Sequence, residues 1–343
     1  MYKKLKTMFC GRKGGLNLSI TVYSCRADET AFLKKFAQQY QVELKETEQP
    51  LTAQNAAFAQ ASSTVSIITT PVTRGVLDAL YQAGVRYIST RTIGYDHIDT
   101  AYAEYLGIHV GNVSYSPNSV ADYTLMLILM ATRRMKSILR HAQVQNFSLQ
   151  GMQGRELSNL TVGVVGTGRI GRTVITRLTG FGCRILAHDL FESAAVKAFA
   201  SYVDLDTLLR ESDIVTLHMP ATDENYHMIG KENLAKMKPN AVLVNTGRGS
   251  LVDTAALIDA LEGEKLGGAA LDVIENESGL YYKDLQDKPL ANRDLALLKA
   301  MPNVLVTPHT AFYTDQAVSD MVENSIKSCL AFEKGENNPW QVI

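Results

Sequence analysis

The chain is short of cysteine and proline, carries no excess of one charge, and has no long apolar run. Four cysteines in 343 residues, Cys10, Cys25, Cys183 and Cys329, lie far apart and form no CxxC pair. That spacing excludes a zinc knuckle and a disulfide-stapled secreted domain, and it leaves a reducing cytoplasm as the expected compartment. Nine prolines beside 24 glycines and 46% apolar residues exclude a fibrous or disordered chain. The most apolar stretch, YTLMLILMA at 123–131, is half of the ~20 helical residues that a bilayer crossing needs. The basic start MYKKLKTMFCGRKGG contains no apolar segment of signal-peptide length, so residues 1–16 read as a flexible extension. With 34 basic and 35 acidic residues the formal charge is −1, and no basic field exists to hold nucleic acid or an anionic membrane. Chemistry on small molecules, with no metal site in view, is what remains.

What is present is regular. The length suits about two domains. The first part alternates β-rich runs (LSITVY at 18–23, VSIIT, VRYIST) with helical ones (DETAFLKKFAQQY, VLDALYQAG), a small α/β layer. From Ser119, a candidate N-cap after Pro117, one long helix is expected over SVADYTLMLILMATRRMKSILRHAQ, apolar almost all round and therefore buried. Beyond it, LTVGVV, RILAHD, DIVTLHM, AVLVNT, GGAALDVI and NVLVTP are apolar on both faces and mostly separated by helical stretches. That is the pattern of a parallel, doubly wound sheet. The helical pattern DQAVSDMVENSIKSCLAFEKG is expected to return to the first layer. A cofactor domain over 118–311 is thereby inserted in a substrate domain made of 17–117 and 312–343.

VGVVGTGRIG places Gly166, Gly168 and Gly171 in GxGxxG spacing between a strand and a helix. Gly166 permits the turn, Gly168 lets a pyrophosphate approach the backbone, and Gly171 lets helix and strand pack, with the helix N-terminus facing the anion. Eighteen residues after Gly171, Asp189 ends the next strand where a carboxylate would meet the adenosine ribose. A carboxylate there repels a 2′-phosphate, so NAD is expected over NADP, with Arg169 and Arg184 leaving room for some NADP use.

The remaining polar residues follow other strands. His218 and Pro220 come after DIVTL, Thr246 and Arg248 after AVLVN, Asp272, Glu275 and Glu277 after GGAAL, and His309 after NVLVTP. All lie beyond the carboxyl ends of expected parallel strands, the edge where open α/β sheets bind ligands. Singly, each has a bland explanation: a surface ion pair for Arg248, a hydrogen-bonded core histidine for His309, a solvated charge for Glu277. As a set they provide a guanidinium to clamp a carboxylate, an imidazole to protonate an alkoxide and a carboxylate to orient that imidazole, the parts needed to reduce a 2-oxo acid.

From about Val22 to Phe332 the chain resembles the D-2-hydroxy-acid dehydrogenases, in particular the D-lactate dehydrogenase branch and the members found in glycopeptide-resistance gene clusters. The matching segments are STRTIGYDHID (89–99), NVSYSPNSVADYTLMLILMATR (112–133), VGVVGTGRIG, VNTGRGSLVD (244–253), ALDVIENE (270–277) and NVLVTPHTAFYT (303–314). The resemblance implies two Rossmann-like domains, the NAD domain inserted in a smaller flavodoxin-like one. It makes Arg248 the substrate-binding arginine, Glu277 the partner carboxylate and His309 the proton donor. It sets the Arg169 and Ile170 backbone on the pyrophosphate, Asp189 on the ribose, His218, Met219, Pro220, Asn225, Thr246 and Gly247 around the cofactor, and Asp272 on the nicotinamide amide. Ile93, Gly94 and Tyr115 correspond to contacts of the substrate carboxylate, and Tyr313 or Phe312 to pocket lining. The implied reaction is reversible hydride transfer between NADH and pyruvate to give D-lactate. Bulkier 2-oxo acids such as phenylpyruvate or 2-oxoisocaproate, and an NAD-sensing corepressor on the same scaffold, are the alternatives. The helix from Ser119 resembles the family's dimer-forming segment, which implies a homodimer.

Overall fold

Residues 18–277 and 279–343 are described by a computed structural model; the expected N-terminal extension and Cys10 lie outside the described residues. The described chain folds as two units, one formed by residues 18–116 with Asp315–Ile343 and the other by Pro117–Thr314.

The outer unit is built on five strands, β1 (Ser19–Val22), β2 (Glu43–Glu46), β3 (Thr64–Ile67), β4 (Tyr87–Thr90) and β5 (His109–Gly111), in the order β2-β1-β3-β4-β5. Every pairing is parallel. Parallel strands need covering on both faces, and β3 and β4 are accordingly buried at every residue. The short edge strands β2 and β5, polar or only three residues long, carry too little periodicity to be read from sequence. The C-terminal helix Asp315–Lys334 packs on this sheet as expected, placing Val322, Ile326 and Cys329 in one core with Ile20, Val22 and Tyr87.

A buried ion pair ties the outer strands together at their carboxyl ends. Arg91, just past β4, is fully buried and donates through Nε to Glu29 at 2.8 Å, through Nη1 to Ser66 at 3.0 Å and through Nη2 to the Tyr23 carbonyl at 3.0 Å. Burial pushes the Glu29 carboxyl up, but Arg91 and Arg26 outweigh it and hold the group below the usual range. Such a pair is secure only while both charges and their hydrogen bonds are present.

The inner unit carries seven parallel strands, β6 (Thr161–Val165), β7 (Arg184–His188), β8 (Ser201–Tyr202), β9 (Ile214–Leu217), β10 (Val242–Asn245), β11 (Gly268–Leu271) and β12 (Val304–Val306). Their order, β12-β11-β10-β9-β6-β7-β8, reverses direction between β6 and β9, and that reversal opens the crevice in which such sheets bind ligands.

The long helix expected from Ser119 is two. One runs Asn118–Thr132 and the other Met135–Gln143, and Arg134 between them sits in the left-handed region at φ 53°. Burial explains the break: the first helix buries Val120, Ala121, Thr124, Leu127 and Ile128, whereas the second buries nothing. Lys136 instead donates to the carbonyls of Lys299, Met301 and Val304, which sets the second helix on its own course. Nor is the first helix buried all round, since Met126 is 39% exposed.

Arg91→Met leaves the buried Glu29 charge with only Arg26, 3.8 Å away, as counter-ion, and is expected to destabilise the outer unit by about 3 kcal/mol in urea denaturation. The double change with Glu29→Gln should recover part of the loss.

Candidate active site

The glycine loop is shaped by what a side chain would strike. Gly166 leaves β6 at φ +89°, and a Cβ there would lie 2.7 Å from the His218 carbonyl at the end of β9. A Cβ on Gly171, in the first turn of the helix Arg169–Leu178, would lie 1.9 Å from the Gly166 carbonyl oxygen. These two glycines close the turn onto β9 and the helix onto the turn. Gly168 differs: nothing lies within 4 Å of where its Cβ would be, and as the helix N-cap it brings no side-chain oxygen to the first-turn amides. Space and a helix N-terminus therefore coincide, as anion binding requires.

Asp189 follows β7. Its carboxylate accepts from the Thr167 hydroxyl at 3.0 Å and the Phe191 N–H at 3.1 Å. Partial burial pushes its pKa up, but these bonds and the Thr167 N–H more than offset that, so the group stays below its usual range. The acid is ionised and fixed beside the glycine loop. Arg184 begins β7, roughly 13 Å from its other end at ~3.3 Å per residue. It pairs there with Glu211 at 2.7 Å, so its expected contribution to NADP use is withdrawn: strand direction puts it at the wrong edge.

His218 closes the crevice floor. One imidazole nitrogen, Nε2, pairs with the Thr216 hydroxyl at 2.9 Å, while Nδ1 is sealed from solvent without a protein partner among the described residues. Burial pulls its pKa down to about 3, so the ring is neutral. Met219 packs on the inner core. Pro220 and Asn225 form one turn, in which the Asn225 amide donates to the Pro220 carbonyl at 2.8 Å and its oxygen accepts from Thr222 N–H at 2.8 Å.

Arg248, Glu277 and His309 come from three strands adjacent in the sheet, β10, β11 and β12. The turn after β10 is pinned by Asn245, which is 1% exposed. Its amide donates to the Arg248 carbonyl at 2.7 Å and its oxygen accepts from the Gly247 N–H at 3.0 Å. A Cβ on Gly249 would lie 2.2 Å from the Ile274 carbonyl, so the arginine turn is pressed against the loop after β11. In that loop Glu277 accepts from the Ile274 N–H at 3.0 Å through one oxygen and, through the other, from His309 Nδ1 at 2.6 Å. Both side chains remain about a quarter exposed.

Asp272 anchors the histidine. Resemblance puts it on the nicotinamide amide; in the structure its carboxylate is fully buried and accepts from the Thr307 hydroxyl at 2.6 Å, the Thr310 N–H at 2.9 Å and the Ala311 N–H at 2.8 Å. Its carbonyl also accepts the His309 N–H at 2.8 Å. Thus encircled, His309 is held at φ 53°, a left-handed conformation costly for a residue with a Cβ. Tyr282 adds a bond to the His309 carbonyl at 2.9 Å, and Phe312 meets the ring edge-on at 6.3 Å. Tyr313, half exposed, stacks edge-on against Phe312. A histidine donating Nδ1–H to a carboxylate keeps Nε2 for proton exchange, and the turn after the neighbouring strand carries a guanidinium suited to a carboxylate. No group of three metal-ligating side chains occurs among the described residues.

The model of the D-isomer specific 2-hydroxyacid dehydrogenase NAD binding domain matches residues 125–311. The chain belongs to this family. A D-specific alpha-keto acid dehydrogenase of Enterococcus faecium is 48% identical over 94% of this chain and 99% of its own length. An aromatic 2-oxoacid reductase of Clostridium sporogenes is 41% identical over 92% and 96%. Among solved structures, a D-lactate dehydrogenase from Treponema pallidum superimposes with a TM-score of 0.86 at 33% identity, over 95% of this chain and 99% of that one.

The dehydrogenase is NAD-dependent, and its crevice fits that cofactor: open space over Gly168, an ionised acid at Asp189 and an orphaned imidazole nitrogen at His218 are three features that a dinucleotide would use. Ile93, Gly94 and Tyr115 belong to the outer unit. Sequence reasoning missed several residues that hold the inner site. Besides Asn245, Thr124 pairs with Thr246 at 3.0 Å and Tyr123 with Thr310 at 2.9 Å, both from the helix Asn118–Thr132. The available signal was the adjacent hydroxyl pair Tyr123–Thr124 at the head of an otherwise apolar run.

The neutral His218 sets a pH dependence. Unfolding restores a pKa near 6.5, so below that value the unfolded chain binds the extra proton and stability falls as pH drops toward 3. In the cofactor-free enzyme, Tm is expected to fall less steeply between pH 6.5 and 4 for His218→Gln than for the wild type, as measured by calorimetry.

Proposed function

We propose that the enzyme is a D-lactate dehydrogenase, reducing pyruvate to D-lactate and running in reverse when lactate and NAD are abundant. The observation that carries this reading is the 2.6 Å His309–Glu277 pair in the loop next to the turn that presents Arg248. Arg248 clamps the substrate carboxylate, a task for which a planar guanidinium fork is suited and a point charge is not. Ile93, Gly94 and Tyr115 are the residues of the outer unit that we assign to the same carboxylate, with Tyr313 lining the pocket. Glu277 holds the imidazole by Nδ1, and His309 delivers its Nε2 proton to the 2-oxo oxygen. Bound NADH supplies the hydride to C2. The cofactor is held by the Gly166–Gly171 loop with the Arg169 and Ile170 amides on the pyrophosphate, by Asp189 on the ribose, and by His218, Met219, Pro220, Asn225, Thr246 and Gly247 along the crevice. Asp272 serves by fixing the histidine loop.

A second substrate class is supported by the likeness to an aromatic 2-oxoacid reductase: bulkier acids such as phenylpyruvate, with the same residues in the same roles. NADH oxidation against pyruvate, 2-oxobutyrate, 2-oxoisocaproate and phenylpyruvate, with chiral analysis of the product, separates the two. Fast formation of D-lactate is expected, and preference for the aromatic acid would replace the substrate. His309→Gln should lower kcat by about 10²–10⁴-fold while NADH affinity stays unchanged; a variant that remains active would overturn the proton-donor assignment.

We further read the protein as a cytoplasmic homodimer. Three described cysteines are unpaired, in keeping with a reducing compartment, and no helix among the described residues is long and apolar enough to cross a membrane. On the inner unit, Leu125, Met126, Leu129, Met130, Met135 and Phe181 line an open apolar groove of about 610 Å³, a surface suited to an isologous partner. Solution mass measurement at micromolar concentration should give twice the chain mass, and Met126→Glu should shift it toward the monomer.

A further inference from the structure

The last residues of the chain return to the edge of the outer sheet. Gly111, which ends β5, bridges antiparallel to Gln341, and Val110 exchanges backbone hydrogen bonds with Val342 and Ile343. The tail thereby covers an edge that would otherwise be open. Trp340 is the grip of this strap. Its carbonyl accepts the Asn112 N–H at 3.0 Å, and its indole N–H donates to the Ser114 hydroxyl at 3.2 Å. Asn338 fixes the tail in turn, donating to the Tyr87 hydroxyl at 2.7 Å and accepting the Trp340 N–H at 3.1 Å. The helix Asp315–Lys334 holds the same segment from its other side: Asn324 donates to the Ser114 carbonyl at 2.5 Å and Asp320 accepts the Ser116 N–H at 2.9 Å.

Held this way, the segment after β5 controls the loop after β4. The Asn112 amide donates to the Ile93 carbonyl at 2.7 Å, and Val113 N–H donates to the Thr92 carbonyl at 3.1 Å. The Ile93 carbonyl and the Gly94 N–H share one planar trans peptide and point in opposite directions, so fixing the first aims the second. Thr92 locks the following peptide by donating to the Gly94 carbonyl at 2.6 Å. A continuous set of hydrogen bonds thus runs from Trp340 through Asn112 to the Ile93–Gly94 peptide. Through Ser114 it reaches the residue next to Tyr115.

We propose that Trp340 is a positioning residue for the substrate: by holding Asn112 and Ser114 it aims the Gly94 amide and Tyr115 at the carboxylate of the 2-oxo acid. This rests on the assignment of Ile93, Gly94 and Tyr115 to substrate binding. An amide left to sample several directions binds a carboxylate less well, whereas the residues assigned to NADH all belong to the inner unit.

Trp340→Phe keeps an aromatic ring and the backbone carbonyl, and removes the indole N–H together with the pyrrole part of the ring system. Its KM for pyruvate is expected to rise about fivefold, the scale of one lost hydrogen bond. Its kcat at saturating pyruvate, its NADH affinity and its Tm should stay near wild type. A chain ending at Pro339 loses both contacts and should show a larger rise in the same KM. In the Ser114→Ala background, Trp340→Phe should add nothing, because the partner of the indole is already gone. An unchanged pyruvate KM in both Trp340→Phe and the shortened chain overturns the proposal. So does a joint fall of kcat, NADH affinity and Tm, which would reveal a merely structural strap. Tyr115→Phe separates the levels: an unchanged pyruvate KM there overturns the substrate assignment itself, whereas a raised KM there beside an unmoved Trp340→Phe overturns only the role of the strap.

Discussion

The candidate chemistry depends on a buried carboxylate. Asp272 stands at the end of β11 with no exposure to solvent, and its oxygens accept three bonds from the loop after β12. Its own N–H donates to the Asn245 carbonyl at the end of β10, at 2.9 Å. One residue therefore stitches three neighbouring strand ends together and holds His309 in a backbone conformation disfavoured for a residue with a Cβ. An unsatisfied buried charge would be very costly, so the loop has little freedom to leave it.

The same economy recurs at each turn of that edge. Asn245 fixes the arginine turn, Thr167 and Asp189 fix each other beside the glycine loop, and Thr124 and Tyr123 brace Thr246 and Thr310 from the helix beneath. None of these supporting contacts requires a long or mobile side chain. Apart from Tyr123 they are short polar groups, placed where a parallel sheet delivers all its strand ends on one side, so that segments far apart in the chain can meet there. Where close approach matters more than bonding, as at Gly166 and Gly171, the absence of a Cβ does the positioning.

Much of this was legible. The apolar runs that became β6, β7 and β9 to β12 needed burial on both faces, and no arrangement other than a covered parallel sheet supplies it to so many strands separated by helices. GxGxxG between strand and helix, and an acid at the end of the next strand, carried the cofactor. Less was visible wherever local signals were weak or neighbours intervened. The residues of β2 and β5 lack periodicity, and the break at Arg134 has neither proline nor glycine to announce it. Arg184 looked close to Asp189 in sequence, yet a strand separates them.

By itself, then, the sequence determined the fold class and the family, because periodicity and motif spacing are properties of neighbouring residues. Tertiary structure alone decided how those groups are held. Asp272 faces inward to the histidine loop, Asn245 pins the arginine turn, and Trp340, near the end of the chain, meets Asn112 and Ser114 more than two hundred residues earlier. Such contacts depend on which strand ends become adjacent, and adjacency is fixed only when the sheet has formed.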